Sequence, residues 1–189
     1  MKKYHKDYKT EKVQSSDGKE DEKILYEGDY YTFSIDAKEK KRVFISFLLA
    51  DSLYILFFIL SGLLNNDGSR SIFIVVPYVF LFLPIVYLTM GTFSFLNIKE
   101  KMERVTYDKA LGRMDRSSIG ILCISLYLCI ADGIFIVLNR TQIALGRENA
   151  FLCINIIMLV CIYIQNKYLQ KMKKRVMIIR RENGVPTEK

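Results

Sequence analysis

Apolar and charged residues hardly mix along this 189-residue chain. A soluble domain of this size scatters its charges through every amphipathic helix or strand, because each element needs a wet face as well as a buried one. Here the apolar residues fall into four blocks, at 43–64, 72–96, 119–138 and 151–164. A bilayer core of about 30 Å takes roughly 20 residues of helix, since in lipid each backbone amide must find its partner within its own segment. Three blocks reach that length, and the fourth approaches it with a helix over 149–165. The first 42 residues contain no apolar core of the kind a secretory signal needs, so block 43–64 is read as a retained span.

The basic residues orient these spans. Residues 1–42 carry 11 Lys and Arg, 97–118 carry six and 165–189 carry eight, whereas the 65–71 turn has only Arg70 and the 139–149 turn only Arg140 and Arg147. Placing both tails and the middle loop in the cytoplasm leaves three basic residues outside. The near-membrane Lys38, Lys40, Lys41, Arg42, Lys171, Lys173, Lys174 and Arg175 weigh the same way. The expectation is an all-α integral membrane protein: a four-transmembrane-helix bundle with cytoplasmic N and C termini. Short outer turns and lysine-rich tails fit a multi-pass protein of a bacterial plasma (cell) membrane. The net charge of +8 is accounted for by this inside bias and does not argue for nucleic acid.

Residues 1–23 are charged and poor in apolar side chains, and read as a disordered cytoplasmic tail. Over 24–42 aromatics return, and Tyr31, Phe33 and Ile35 alternate with Thr32 and Ser34 in the period of a strand. A lone strand has nothing to pair with, so an interfacial juxtamembrane segment anchored by Tyr30, Tyr31 and Phe33 is expected. In the middle loop, Ile98, Met102 and Val105 share a helical face and Glu100 stands four residues before Arg104, so the loop reads as a helical extension of the second span. Leu169, Met172, Val176 and Ile179 recur at helical spacing, predicting that the fourth span continues into a basic cytoplasmic helix and tail over 165–189. Its Lys171, Lys173, Lys174 and Arg175 either dock a partner or anionic lipid, or are ordinary stop-transfer charges.

Two segments resemble each other internally. Leu49-Ala50-Asp51-Ser52-Leu53-Tyr54-Ile55-Leu56 of the first span matches Ile130-Ala131-Asp132-Gly133-Ile134-Phe135-Ile136-Val137 of the third in type, and aligns the only two acids within the spans. Lys101-Met102-Glu103-Arg104-Val105 and Lys171-Met172-Lys173-Lys174-Arg175-Val176 follow the two hairpins. Two parallel-repeated helical hairpins fit this pattern. Against it, Asp51 and Asp132 come at different depths in their spans, and apolar segments resemble each other by composition alone.

A carboxylate in the bilayer costs a few kcal/mol, so Asp51 and Asp132 must face the bundle interior, hold a proton or find a partner. No span contains Lys, Arg or His. Tyr54, Ser125, Tyr127 and Asn155 are the side-chain alternatives, with a bound cation or a shared proton as others. Asp51, Asp132, Tyr54 and Asn155 therefore form the candidate ion or proton site, and interhelical hydrogen-bond glue is the structural reading of the same residues. Pro77, Pro84 and Gly91 recur every seven residues along the second span and mark a candidate hinge, or a shape that lets neighbouring helices fit. Cys123, Cys129, Cys153 and Cys161 match no metal or disulfide spacing and read as small apolar residues.

Catalysis is not expected. The only histidine is His5, there is no Gly-rich phosphate loop, and neither acid sits in the Tyr-Asp or Gly-x-Gly-Asp context of an intramembrane aspartyl protease. No cofactor or metal is implied. The leading expectation is a non-catalytic subunit or accessory protein of a membrane complex, acting as a homo- or hetero-oligomer with anionic lipid at its cytoplasmic face. The alternatives are a small oligomeric proton- or cation-linked transporter or channel using the two acids, and a membrane-embedded sensor.

Overall fold

The computed structural model describes residues 2–14, 20–182 and 185–188. In chain order the helices are α1 (Ala37–Leu63), α2 (Ile72–Phe95), α3 (Arg104–Tyr107), α4 (Arg113–Asn139) and α5 (Leu145–Lys173). A π-helical turn, Asp108–Gly112, joins α3 to α4, so the third apolar helix runs 36 residues from Arg104 to Asn139. Four helices are thus long and apolar enough to cross a membrane. Their outward faces expose Leu49, Leu53, Phe80, Phe82, Leu126 and Val160. Apolar surface on this scale belongs against lipid, and the four helices mark a multi-pass membrane protein.

The helices close a ring in which α1 packs on α2 and α5, α2 on α4, and α4 on α5. Tyr54, Leu81, Ile121, Leu128, Met158 and Ile162 fill its centre. α2 and α4 approach closely at Gly91 of α2, where an added Cβ would stand 2.7 Å from Met114 Cγ, 3.1 Å from its backbone nitrogen and 3.3 Å from Ala110 O. Pro84 lies opposite Gly120 on α4. The stripe of Pro84 and Gly91 therefore serves helix packing. α2 is continuous through Pro77 and Pro84.

The connectors at one end form strands. β1 (Tyr8–Gln14) and β2 (Glu20–Tyr26) make an antiparallel hairpin. β3 (Tyr30–Phe33), β4 (Lys101–Glu103), β5 (Val176–Glu182) and β6 (Val185–Glu188) form a second antiparallel sheet in the order β4-β3-β5-β6. Tyr31 stands opposite Met102 on one side and Ile178 on the other. Buried Phe33, which meets Phe95 edge-on at 6.1 Å, fastens this sheet to the bundle. Lys40 Nζ donates to the carbonyls of Leu96 at 2.6 Å and Ile98 at 2.5 Å, satisfying groups left open where α2 ends.

Four expectations need correction. The strand-like alternation around Tyr31 does find partners, supplied by β4 and β5, so 24–42 is not an unpaired segment but holds the end of β2, all of β3 and the start of α1. The middle loop does not prolong α2, which stops at Phe95; Met102 lies in a strand and Arg104 begins the lead-in to α4. The basic C-terminal helix ends at Lys173, and Val176 opens β5, so the helical spacing beyond Met172 is broken by sheet pairing. Of the expected disordered tail 1–23, residues 1 and 15–19 lie outside the described residues; in the rest, Lys2–Asp7 is a 3-10 helix and β1 pairs with β2, so all-α describes the bundle but not the whole chain.

Tyrosines hold that N-terminal hairpin in place. Tyr4 OH donates to Asp108 Oδ2 at 2.7 Å, and the Arg104 amide donates to Tyr26 OH at 3.1 Å. Tyr31 stacks on Tyr107 with ring centroids 4.5 Å apart. A composition that cannot bury its own core is ordered by contacts to the middle connector.

Candidate functional site

The interior of the bundle holds polar groups from all four long helices. Asp51, Thr92, Ser125, Asp132, Glu148, Asn155 and Gln165 are all buried. Asp51 and Asp132 stand at two separate levels.

At the sheet-side level, Gln165 Nε2 of α5 donates to Asp51 Oδ1 of α1 at 3.0 Å. Thr92 of α2 faces the same carboxyl group, but its hydroxyl and Asp51 Oδ2 make no hydrogen bond of normal geometry. Tyr54, one turn beyond Asp51, does not serve the acid. Its hydroxyl donates to the carbonyl of Met158 and rivets α1 to α5.

At the level near the opposite loops, Asp132 of α4 faces Glu148 of α5. Glu148 Oε1 accepts the Gly68 amide at 2.8 Å and Oε2 accepts Asn66 Nδ2 at 3.0 Å. An added Cβ on Gly68 would stand 2.9 Å from Glu148 Oε2, 3.2 Å from Asn66 Nδ2 and 3.2 Å from Asp132 Oδ1. Both oxygens of Asp132 and Asn66 Oδ1 are buried without a hydrogen-bond partner.

The two span acids are not brought together. Their partners Gln165 and Glu148 lie 17 residues apart on α5, which is about 25 Å of helix. Between the levels lie the fully buried Leu128, Met158 and Ile162. A shared proton between Asp51 and Asp132 is therefore excluded in this conformation. Asn155 is buried at an intermediate height, where its Nδ2 donates to Phe151 O at 2.9 Å and its Oδ1 has no partner. Ser125 Oγ is likewise unpartnered, and Tyr127 faces outward. The internal match of the first and third spans is not carried into matching sites, since Asp51 meets an amide and Asp132 a carboxylate.

The basic cluster also divides. Lys173 Nζ pairs with Asp115 Oδ2 at 2.6 Å, beside Gln170, whose Nε2 donates to Asp115 Oδ1 at 2.6 Å. Arg175 pairs with Glu39 at 2.5 Å. These two residues fasten the end of α5 to the starts of α4 and α1, while Lys171 and Lys174 remain exposed.

Sequence reasoning missed Glu148 and Asn66, because both fall in stretches read as outer turns. The signal was Glu148 itself, an acid three residues before the apolar run that begins at Phe151. Among the described residues no group of three or more His, Cys, Asp or Glu side chains converges. The cysteines are free and lie on exposed or half-buried helix positions.

No protein-family model, curated protein or solved structure matches the chain. The fold defines its class: a bundle of four helices long and apolar enough to cross a membrane, capped at one end by a sheet drawn from three separate segments.

Proposed function

We propose that the chain is a non-catalytic subunit of a membrane complex, with the sheet end in the cytoplasm of a bacterial cell as a docking platform for a partner protein. The observation that carries this reading is the asymmetry of the two ends. Three connectors at one end join a single sheet, whereas the other end has only short turns. Residues 1–42, 97–118 and 165–189, the segments from which the sheet is drawn, carry 25 of the 28 Lys and Arg residues, the bias expected of the cytoplasmic side.

Met177 and Ile178 on β5 are both exposed. Successive strand residues point to opposite faces, so apolar side chains stand open on both faces of the sheet. The segment 165–189 carries eight basic residues against two acidic ones, which favours an acidic partner or anionic lipid beside it. Replacing Lys171 and Lys174 with Glu, and Met177 and Ile178 with Ser, should release the protein that co-purifies in mild detergent. Unchanged co-purification by a normally folded variant contradicts the reading.

A second reading, a small oligomeric proton- or cation-linked transporter or channel, draws support from the unpartnered acceptors of Asp51, Asp132, Asn155 and Gln165 inside the bundle. The apolar layer between the two acid levels requires that conduction come with helix movement or assembly. Loss of pH-dependent flux in liposomes on Asp51→Asn and Asp132→Asn would favour it over docking.

A further inference from the structure

We propose that Asp132, Glu148 and Asn66 form a binding site for a hard divalent metal cation, closed by the turn at Gly68. This inference is independent of the docking reading above.

Two carboxyl groups approach each other in a place sealed from water. Asp132, Glu148 and Asn66 each show no solvent exposure. Asp132 Oδ1 and Glu148 Oε2 both stand within 3.2 Å of the point a Gly68 Cβ would occupy, so a side chain there would crowd the two acids. Gly68 and Asn66 each aim one Glu148 oxygen by donating to it. Asp132 receives no donor at either oxygen, and the Asn66 carbonyl oxygen is also buried and unpartnered.

The groups left over are all acceptors, and what they lack is positive charge. Two arginines of the flanking segments are engaged elsewhere: Arg147 donates to Asn65 O at 3.1 Å, and Arg70 lies 3.8 Å from Asp67. Two carboxylates and one amide oxygen are hard ligands of the type taken by Mg²⁺, Mn²⁺ and Ca²⁺. Mg²⁺ in particular is held through one or two carboxylates while it keeps part of its water shell. Thiolate- and imidazole-seeking metals find no ligand here, since neither cysteine nor histidine contributes.

The site has a door. Glu148 is the fourth residue of α5, and Asn66 and Gly68 belong to the turn between α1 and α2. Asp67 Oδ2 accepts the Ala144 amide at 3.2 Å, and the Arg147–Asn65 bond joins the same two loops. Parting these loops opens the acids to the water beyond the bundle. A bound cation cross-links α4, α5 and the α1–α2 turn.

The test is thermal unfolding and calorimetric titration of the full chain in detergent, with MgCl₂, MnCl₂ and CaCl₂, against NaCl at matched ionic strength. At least one divalent salt should raise the melting temperature to a plateau and titrate at one ion per chain. Asp132→Asn, which keeps shape and removes charge, should abolish that rise, as should Gly68→Ala, which fills the space beside the acids. Asp51→Asn should keep the full response. The proposal is overturned if no divalent salt exceeds NaCl on the unaltered chain, if Asp132→Asn and Gly68→Ala respond as it does, or if Asp51→Asn loses the response equally.

Discussion

Tyr8 OH donates to Glu103 Oε2 at 2.6 Å, tying the first strand of the chain to a residue 95 positions later. Hydrogen bonding to the Glu103 carboxylate pushes the Tyr8 hydroxyl up to about 12 from its ordinary 10.0. A tyrosine whose value is raised on folding supports the fold fully below its unfolded value and loses that support as pH climbs through the folded one. Docking of the β1–β2 hairpin should accordingly hold up to about pH 10 and weaken toward about pH 12. Limited proteolysis of the N-terminal segment across that window checks it, and Tyr8→Phe should be cut readily at neutral pH with no further rise from the lost bond.

Gly91 and Gly133 should behave oppositely when changed to alanine. A Cβ at Gly91 meets the backbone of Met114 and Ala110 within 3.3 Å, whereas one at Gly133 meets nothing within 4 Å. Gly91→Ala should cost about 1–3 kcal/mol by prying α2 from α4. Gly133→Ala should be neutral or stabilise by up to about 1 kcal/mol through helix propensity. Thermal denaturation in detergent ranks the two, and equal effects would remove the close-packing account of the proline and glycine stripe.

The pair Asp51 and Gln165 should show strong coupling. Gln165→Leu alone leaves the buried carboxyl without its amide donor and should cost about 1–3 kcal/mol, while Asp51→Leu added to it should recover part of that loss. A double-mutant cycle measures the coupling. A purely additive result would mean that the 3.0 Å contact does not hold α1 to α5.

Lys173 and Lys171 are two residues apart, yet only the first has a carboxylate partner at 2.6 Å. Lys173→Ala should lower stability by about 1 kcal/mol, and Lys171→Ala should stay within about 0.5 kcal/mol of the unaltered chain. Identical melting curves for the two variants would count against a structural role for the Asp115 pair.

The bundle was legible in the sequence and the sheet was not, and the difference is physical. A span is announced by roughly 20 contiguous apolar residues, a signal contained within one segment. The strand Tyr30–Phe33 is four residues long, and its partners begin at Lys101 and Val176. Its alternation was visible, but pairing over such separations leaves no local mark. Met172 and Val176 continued a helical spacing that sheet pairing overrode. Asp51 and Asp132 stood out as acids in apolar surroundings, whereas Glu148 and Asn66 sat among polar turn residues and became part of the interior only through folding.

The central claim is that four helices cross a membrane with the sheet end in the cytoplasm. In a cysteine-free background, single Gln142→Cys and Lys174→Cys variants should be treated on intact cells with a membrane-impermeant thiol reagent. The account predicts that position 142 is labelled at once and position 174 only after the cells are opened. Labelling of both positions, or of position 174 alone, in intact cells would contradict it.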